Sequence, residues 1–353
     1  MRHLHSAVLI ALLAAALFGA TTPMAKALLS SLSPFMVAGL FYLGSGLGLA
    51  LCITIRRLRL GASRLANKGR LQRAELPWLM GAIAAGGIVG PALLMLGLNS
   101  TPAAVSSLLL NLEGVFTAVI AWVVFRENVD LQIFLGMLAI VAGGVVLSWQ
   151  PGTASLSLGA LLIAGACLAW AVDNNLTRKV SSNDAMLIAC LKGLVAGSVN
   201  LGIALLLGAP LPGLPVAATA MIVGFAGYGI SLVLFVIALR NLGTARTGAY
   251  FSVAPIFGVA LSVLLWPEMP PLLFWLAAAL MGLGVWLHVR ERHEHVHTHE
   301  QLYHSHSHYH DEHHQHEHDF DWKGEEPHSH PHQHEPITHS HAHYPDIHHR
   351  HSH

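Results

Sequence analysis

Residues 102–127 read PAAVSSLLLNLEGVFTAVIAWVVFRE, and this stretch decides the class of fold. From Pro102 to Phe125 it holds one charged residue, Glu113, and shows no alternation of apolar and polar positions. About 20 mostly apolar residues cross a bilayer as a helix, whereas a membrane barrel strand alternates. Away from water the backbone must satisfy its own hydrogen bonds, so a run of this kind is helical. Glu113 lies about 11 residues into the run, hence about 16 Å along its axis, near the middle of a hydrocarbon core roughly 30 Å thick.

Working outward, the same kind of run recurs from residue 5 to residue 289. Ten are read, at 5–23, 34–55, 76–97, 102–125, 131–149, 157–177, 185–207, 217–239, 245–266 and 272–289. Turn chemistry separates several of them: Ser33-Pro34, Thr101-Pro102, Gln150-Pro151-Gly152, Pro210 to Pro215 and Pro267 to Pro271. The chain of 353 residues is 54% hydrophobic and only 11% charged, with mean hydropathy +0.54. A soluble domain has about 25% charged residues. The expected fold is therefore all-α and polytopic, with ten transmembrane helices.

The formal net charge of zero hides a split. Residues 1–290 hold 16 Lys/Arg and 7 Asp/Glu, whereas residues 291–353 hold 3 Lys/Arg, 12 Asp/Glu and 23 of the 26 histidines. In the first region the basic residues gather in alternate loops: Arg2; the segment from Arg56 to Arg73; Arg126; Arg178 and Lys179; Arg240 and Arg246; Arg290. The opposite loops hold Lys26 alone, and Lys192 lies inside a span. Loops rich in Lys/Arg stay inside, which predicts both termini in the cytoplasm and a place in the cytoplasmic (inner) membrane of a bacterial cell. The first run imitates a secretory signal near Ala25-Lys26-Ala27, but it is read as a retained helix. Cys52, Cys167 and Cys190 lie in apolar runs as free thiols. No Gly-rich phosphate loop appears, and no nucleophile-base set lies in the spans, so neither an enzyme nor a nucleic-acid binder is expected.

The two halves echo each other. Glu113-Gly114-Val115-Phe116 followed by Glu127 corresponds to Ala254-Pro255-Ile256-Phe257 followed by Glu268, always 141 residues apart. Five spans per half is an odd number, so the second half runs upside down relative to the first. The expected domains are a first five-helix repeat over 1–149, a second over 150–290, and a tail over 291–353. Inverted repeats of this kind hold substrate near the bilayer midplane.

These residues resemble the drug/metabolite transporter superfamily, in its ten-helix EamA-type branch. The likeness rests on Phe18-Gly19-Ala20-Thr21-Thr22-Pro23 with Lys26, on Ser106-Ser107-Leu108-Leu109-Leu110-Asn111-Leu112-Glu113, on Phe125-Arg126-Glu127, and on Gly136 with Gly143-Gly144. It implies a secondary transporter or exporter of small metabolites, with both ends inside.

Candidate residues for the substrate or proton pathway are Glu113, Lys192, Asp173, Asn174, Asn175, Asn111, Asn200 and Tyr228. A charge at the depth of Glu113 must be paired, wetted or protonated; it either exchanges protons during transport or serves as a structural acid. Lys192 either snorkels or pairs with Glu113, Asp173 or an anionic substrate group. Asp173-Asn174-Asn175 either caps the end of its span or lines the path. Asn111, Asn200 and Tyr228 either line a cavity or tie helices together. The pairs Gly44/Gly48, Gly86/Gly90 and Gly193/Gly197 are read as packing contacts.

The tail alternates histidine with other residues at His293, His295, His297, His299, His304, His306, His308 and His310, then continues with His313, His314, His316 and His318. Clustered neutral imidazoles suit divalent Zn, Ni or Co. With few aliphatic residues the tail is expected to be disordered until metal binds. No cofactor is required by this reading. The expected partners are the bilayer, a small-molecule substrate, divalent metal ions and, for oligomeric state, a second copy in a homodimer. Two other functions stay open: a Zn/Ni/Co exporter, and a membrane-anchored metal buffer or sensor.

Overall fold

The computed structural model describes residues 2–60, 73–125, 131–149, 156–178, 180, 184–242, 250–267, 270–290, 294–298, 302–308, 328–334 and 338–342. The chain divides into two units, 1–291 and 292–353.

The first unit is helical because its runs are apolar over their full length and punctuated by Pro, Gly and Ser. Helices α1 (Arg2–Leu28) and α2 (Pro34–Leu60) come first. A short 3₁₀ turn then leads into α3 (Leu76–Ala82), a π-helical segment (Ile83–Val89) and α4 (Gly90–Ser100). Helices α5 (Ala103–Leu109), α6 (Leu112–Phe125) and α7 (Leu131–Ser148) follow. In the second half, α8 (Leu158–Arg178) and α9 (Ala185–Leu206) precede α10 (Leu214–Gly224). A second π segment (Phe225–Ile230) links α10 to α11 (Ser231–Leu242). Helices α12 (Ala254–Leu265) and α13 (Leu272–Arg290) end the unit.

Among the described residues, eight helices are long and apolar enough to cross a membrane, and two shorter apolar helices, Ala254–Leu265 and Leu272–Leu287, follow them. The expected run 245–266 is therefore covered only in part, because 243–249 lie outside the described residues. The run 102–125, expected as one helix, is interrupted at Leu110 and Asn111. A matching interruption at Ser252 and Val253 precedes α12. The two interruptions escape the sequence reading for one reason: a hydropathy window counts apolar residues, and a broken helix is as apolar as a straight one.

Inside the bundle α2 packs along α9, α4 and α6 pack on α8, α1 packs on α11 and α12, and α7 packs on α13. The glycines permit the closest approaches. A Cβ on Gly193 would overlap the backbone of Gly46, and one on Gly197 would overlap Leu43. The packing reading of that glycine pair thus matches the α2–α9 contact. Phe41, Met95, Leu98, Leu109, Ile140 and Met281 are among the fully buried side chains. Many Leu and Val residues on the outer faces are exposed, including Leu9, Val123 and Leu214, as lipid-facing surfaces require.

Where composition predicts a tail without fixed structure, its described residues form two antiparallel strand pairs. Strand β1 (Glu294–Thr298) pairs with β4 (Thr338–Ala342), and β2 (Leu302–His308) pairs with β3 (His328–His334). The His-x-His spacing has the period of a strand, so pairing lines histidines up with histidines. His295 stands opposite His341, and His304 stands opposite His332. The remaining tail candidates, His293, His299, His310, His313, His314, His316 and His318, lie outside the described residues.

Candidate functional site

Four helices, α2, α6, α8 and α9, and a π segment build one polar layer. Asp173 on α8 is 6% exposed, in the turn of the helix that faces Ile83–Val89 and α9. Its two carboxylate oxygens each accept from Lys192 Nζ at 2.6 Å, and Oδ1 also accepts from Thr177 Oγ1 at 2.8 Å. The ion pair is almost fully removed from solvent. Of the partners open to Lys192, Asp173 is the one its ammonium meets. Its reach from α9 spends the ammonium on the nearer carboxylate.

Gly86 makes this possible. A Cβ there would fall on the Asp173 carboxylate, so any larger residue would push the acid off the lysine. The same glycine sits in a π segment, where i→i+5 pairing leaves carbonyls with spare capacity. The Gly86 carbonyl accepts from Tyr42 Oη at 2.8 Å and from Trp170 Nε1 at 2.9 Å. The next carbonyl, of Gly87, accepts from Asn200 Nδ2 at 3.0 Å. Helices α2, α8 and α9 are thus all anchored on two successive backbone carbonyls. Asn200 is fully buried, and its Oδ1 has no hydrogen-bond partner among the described residues.

Glu113 occupies the first turn of α6, just after the interruption, where the positive end of the helix favours a carboxylate. Its Oε1 accepts from Asn174 Nδ2 at 2.9 Å, and the same amide nitrogen lies 3.4 Å from Thr117 Oγ1. Asp173 and Asn174, neighbours on α8, therefore reach in two directions: one to Lys192 and the other to Glu113. Asn175 points elsewhere, donating to the Ala171 carbonyl of its own helix at 2.8 Å. Asn111 donates its side-chain amide at 2.9 Å to the Leu108 carbonyl, which also accepts its backbone N–H at 3.1 Å, and the buried Cys167 Sγ lies 3.6 Å from the Leu109 carbonyl. Both side chains thus brace the interruption.

Tyr228 lies in the second π segment. Its ring stacks on Tyr42 with centroids 5.2 Å apart and makes a tilted contact with Phe41 and an edge contact with Phe18. Phe18 also meets Trp170 and Phe251. An aromatic cluster thus borders the polar layer and joins the two π segments through Tyr42.

Of the eight candidates in the spans, Glu113, Asn174, Asp173 and Lys192 form one connected set. Asn200 and Tyr228 touch its supports, whereas Asn111 and Asn175 serve their own helices. Tyr42, Thr117, Trp170 and Thr177 belong to the layer but carry no motif. The available signal was chemical: a Tyr or Trp in mid-span has a polar atom that needs a partner. Among the described residues, no group of three or more His, Cys, Asp or Glu is placed to hold a metal ion.

Comparison with known proteins agrees with this architecture. The EamA-like transporter family matches twice, over residues 5–149 and 157–290. An uncharacterized transporter of Methanothermobacter thermautotrophicus is 28% identical over 265 residues, covering 71% of this chain and 76% of the relative. A solved crystal structure shares the fold at TM-score 0.58 and 19% identity, covering 80% of this chain and 96% of that one.

Proposed function

The chain belongs to the EamA-like transporter family and is a multi-pass membrane transporter, and on that premise we propose a secondary transporter that exports a small metabolite by alternating access. Glu113 is the residue whose charge changes during the cycle. The observation that carries this reading is the double reach of α8, in which Asn174 holds Glu113 while the adjacent Asp173 holds Lys192. An ionised Glu113 accepts the Asn174 amide strongly, and a protonated one accepts it weakly. Both contacts leave the same turn of one helix, so a proton at Glu113 biases the lock made by Asp173 and Lys192. A substrate that competes for either contact shifts the same balance.

Several observations support ten helices in two inverted halves. The family matches twice, and among the described residues each half contains a π segment and a helix interruption, at 110–111 and at 252–253. Interrupted helices at mid-depth are where such transporters hold their cargo. The Lys/Arg bias supports cytoplasmic termini in the inner membrane.

The test is uptake by the full-length protein in proteoliposomes under an imposed pH gradient, screened over amino acids and divalent metals. Glu113→Gln is expected to abolish gradient-dependent flux while leaving the melting temperature within a few degrees of wild type. Flux equal to wild type removes the proton role.

The tail supports a second element of the proposal, collection of divalent Zn, Ni or Co. Its strand register sets His295 opposite His341, His297 opposite His339, and His304, His306 and His308 opposite His332, His330 and His328. Cells carrying the chain truncated after Arg290 are expected to keep organic transport. If truncation removes metal resistance and nothing else, export of the metal itself becomes the better reading.

A further inference from the structure

Lys26 is the one basic residue of its set of loops, and the function proposed above does not use it. It lies in the last turn of α1. Its ammonium donates to the Leu98 carbonyl at 2.6 Å and to the Asn99 carbonyl at 3.2 Å, at the C-terminal end of α4. Those two bonds take two of its three N–H groups. The end of the bundle where it sits is far from Asp173. Gly159, near the start of α8, lies against Ser100 and Thr101, and Asp173 is 14 residues further along that helix, about 21 Å at 1.5 Å per residue.

Two cavities open beside Lys26. One, of about 310 Å³, is walled by Pro102, Val105, Ser262, Trp266 and Phe274. The other, of about 460 Å³, is walled by Ser30, Asn99 and Trp266. Lys26 and Trp266 are common to both, and among the described residues no Asp or Glu lines either. Each volume falls in the range of small-molecule sites, roughly 300–1,000 Å³. A cation with a donor to spare beside an aromatic wall selects an anion with a flat apolar body.

We propose that Lys26 and Trp266 form a binding site for a small organic monocarboxylate, at the end of the bundle far from Asp173. The carboxylate takes the third N–H of Lys26, and the apolar body lies against Trp266 and Phe274. The site is a waiting place on the path of the transport reading, on which it rests. Its occupancy is measured by binding alone, so a failure here is distinguishable from a failure of transport at Glu113.

The experiment is equilibrium binding of radiolabelled benzoate to the full chain in phosphatidylcholine nanodiscs. Benzamide is the neutral competitor. Benzoate is expected to bind saturably, with benzamide at least about tenfold weaker, as the loss of a charge-assisted bond implies. Lys26→Gln is expected to lose about tenfold in benzoate affinity, and Lys26→Arg to stay within about threefold. Because Lys26 also caps α4, Ser30→Asp provides an independent variant that leaves the cap intact. It sets a negative charge in the larger cavity and is expected to weaken benzoate but not benzamide. Equal binding of benzoate and benzamide, or no effect of Lys26→Gln and Ser30→Asp, overturns the proposal. Phosphatidylglycerol is added in a further arm. If it displaces benzoate from wild type and not from Lys26→Gln, the occupant is a lipid headgroup and the assignment to a solute falls.

Discussion

Two interrupted helices, one in each half, carry opposite chemistry. The interruption at Leu110 and Asn111 leads into Glu113, and the carbonyls of Leu108 and Leu109 before it are met by Asn111 and Cys167. The one at Ser252 and Val253 leads into Ala254, 141 residues later. Ala254 is buried, and its carbonyl lies against Gly19 of α1, where a Cβ would overlap it. One interruption is thus polar and reaches α8 through Asn174, while the other is closed by the backbone of α1. Similar backbones have been given to different tasks: a titratable contact in the first half and a close helix crossing in the second. The π segments repeat the lesson. Ile83–Val89 presents carbonyls to Tyr42, Trp170 and Asn200, whereas Phe225–Ile230 presents the ring of Tyr228.

The largest expected effect comes from breaking the polar side. Asp173→Asn leaves the Lys192 ammonium buried without a counter-charge, which costs about 3–5 kcal/mol. Thermal unfolding in detergent should show it, and Asp173→Asn combined with Lys192→Met should recover more than half of the loss. An unchanged melting temperature in the single variant would mean that water already solvates the pair.

Next is Ala254→Glu, which gives the second interruption the acid of the first. Ala254 is buried, so a loss of about 3 kcal/mol is expected from the buried charge. Wild-type stability, with flux intact, would erase the contrast between the halves.

A smaller effect is expected for Gly86→Ala, about 1–3 kcal/mol from overpacking against Asp173. The same change at Gly282, where a Cβ meets nothing within 4 Å, is the control and should be close to neutral. The smallest effect belongs to Asn174→Ala. It removes a partly solvated bond to Glu113, worth about 1 kcal/mol, so stability should barely move. If Asn174 links the proton site to the lock, the pH dependence of flux should shift nonetheless. A pH profile superimposable on wild type would separate the two contacts of α8.

Much of this was readable from residue order. The mid-depth acid in PAAVSSLLLNLEGVF, the recurring apolar runs and the doubled spacing of 141 residues are local or additive properties, and hydropathy sums them without knowing the fold. The cluster Asp173-Asn174-Asn175 was visible as a candidate too. The division of labour among its members was not, because successive residues on a helix point about 100° apart and the neighbours on each face were unknown. Asp173 faces Lys192, Asn174 faces Glu113, and Asn175 turns back on Ala171.

By itself the sequence determined that this chain is a membrane protein of apolar helices with one acid, Glu113, inside an apolar run and a histidine-rich tail. Burial cost in a bilayer depends on side-chain chemistry and depth alone, and both are written along the chain. Only the tertiary structure decided that Lys192 answers Asp173 rather than Glu113, that Gly86 makes space for that pair, and that π segments and interruptions supply the carbonyls on which the layer is built. Those outcomes depend on which helix faces which and on angstrom-scale clearances between them, and neither is a property of any single segment.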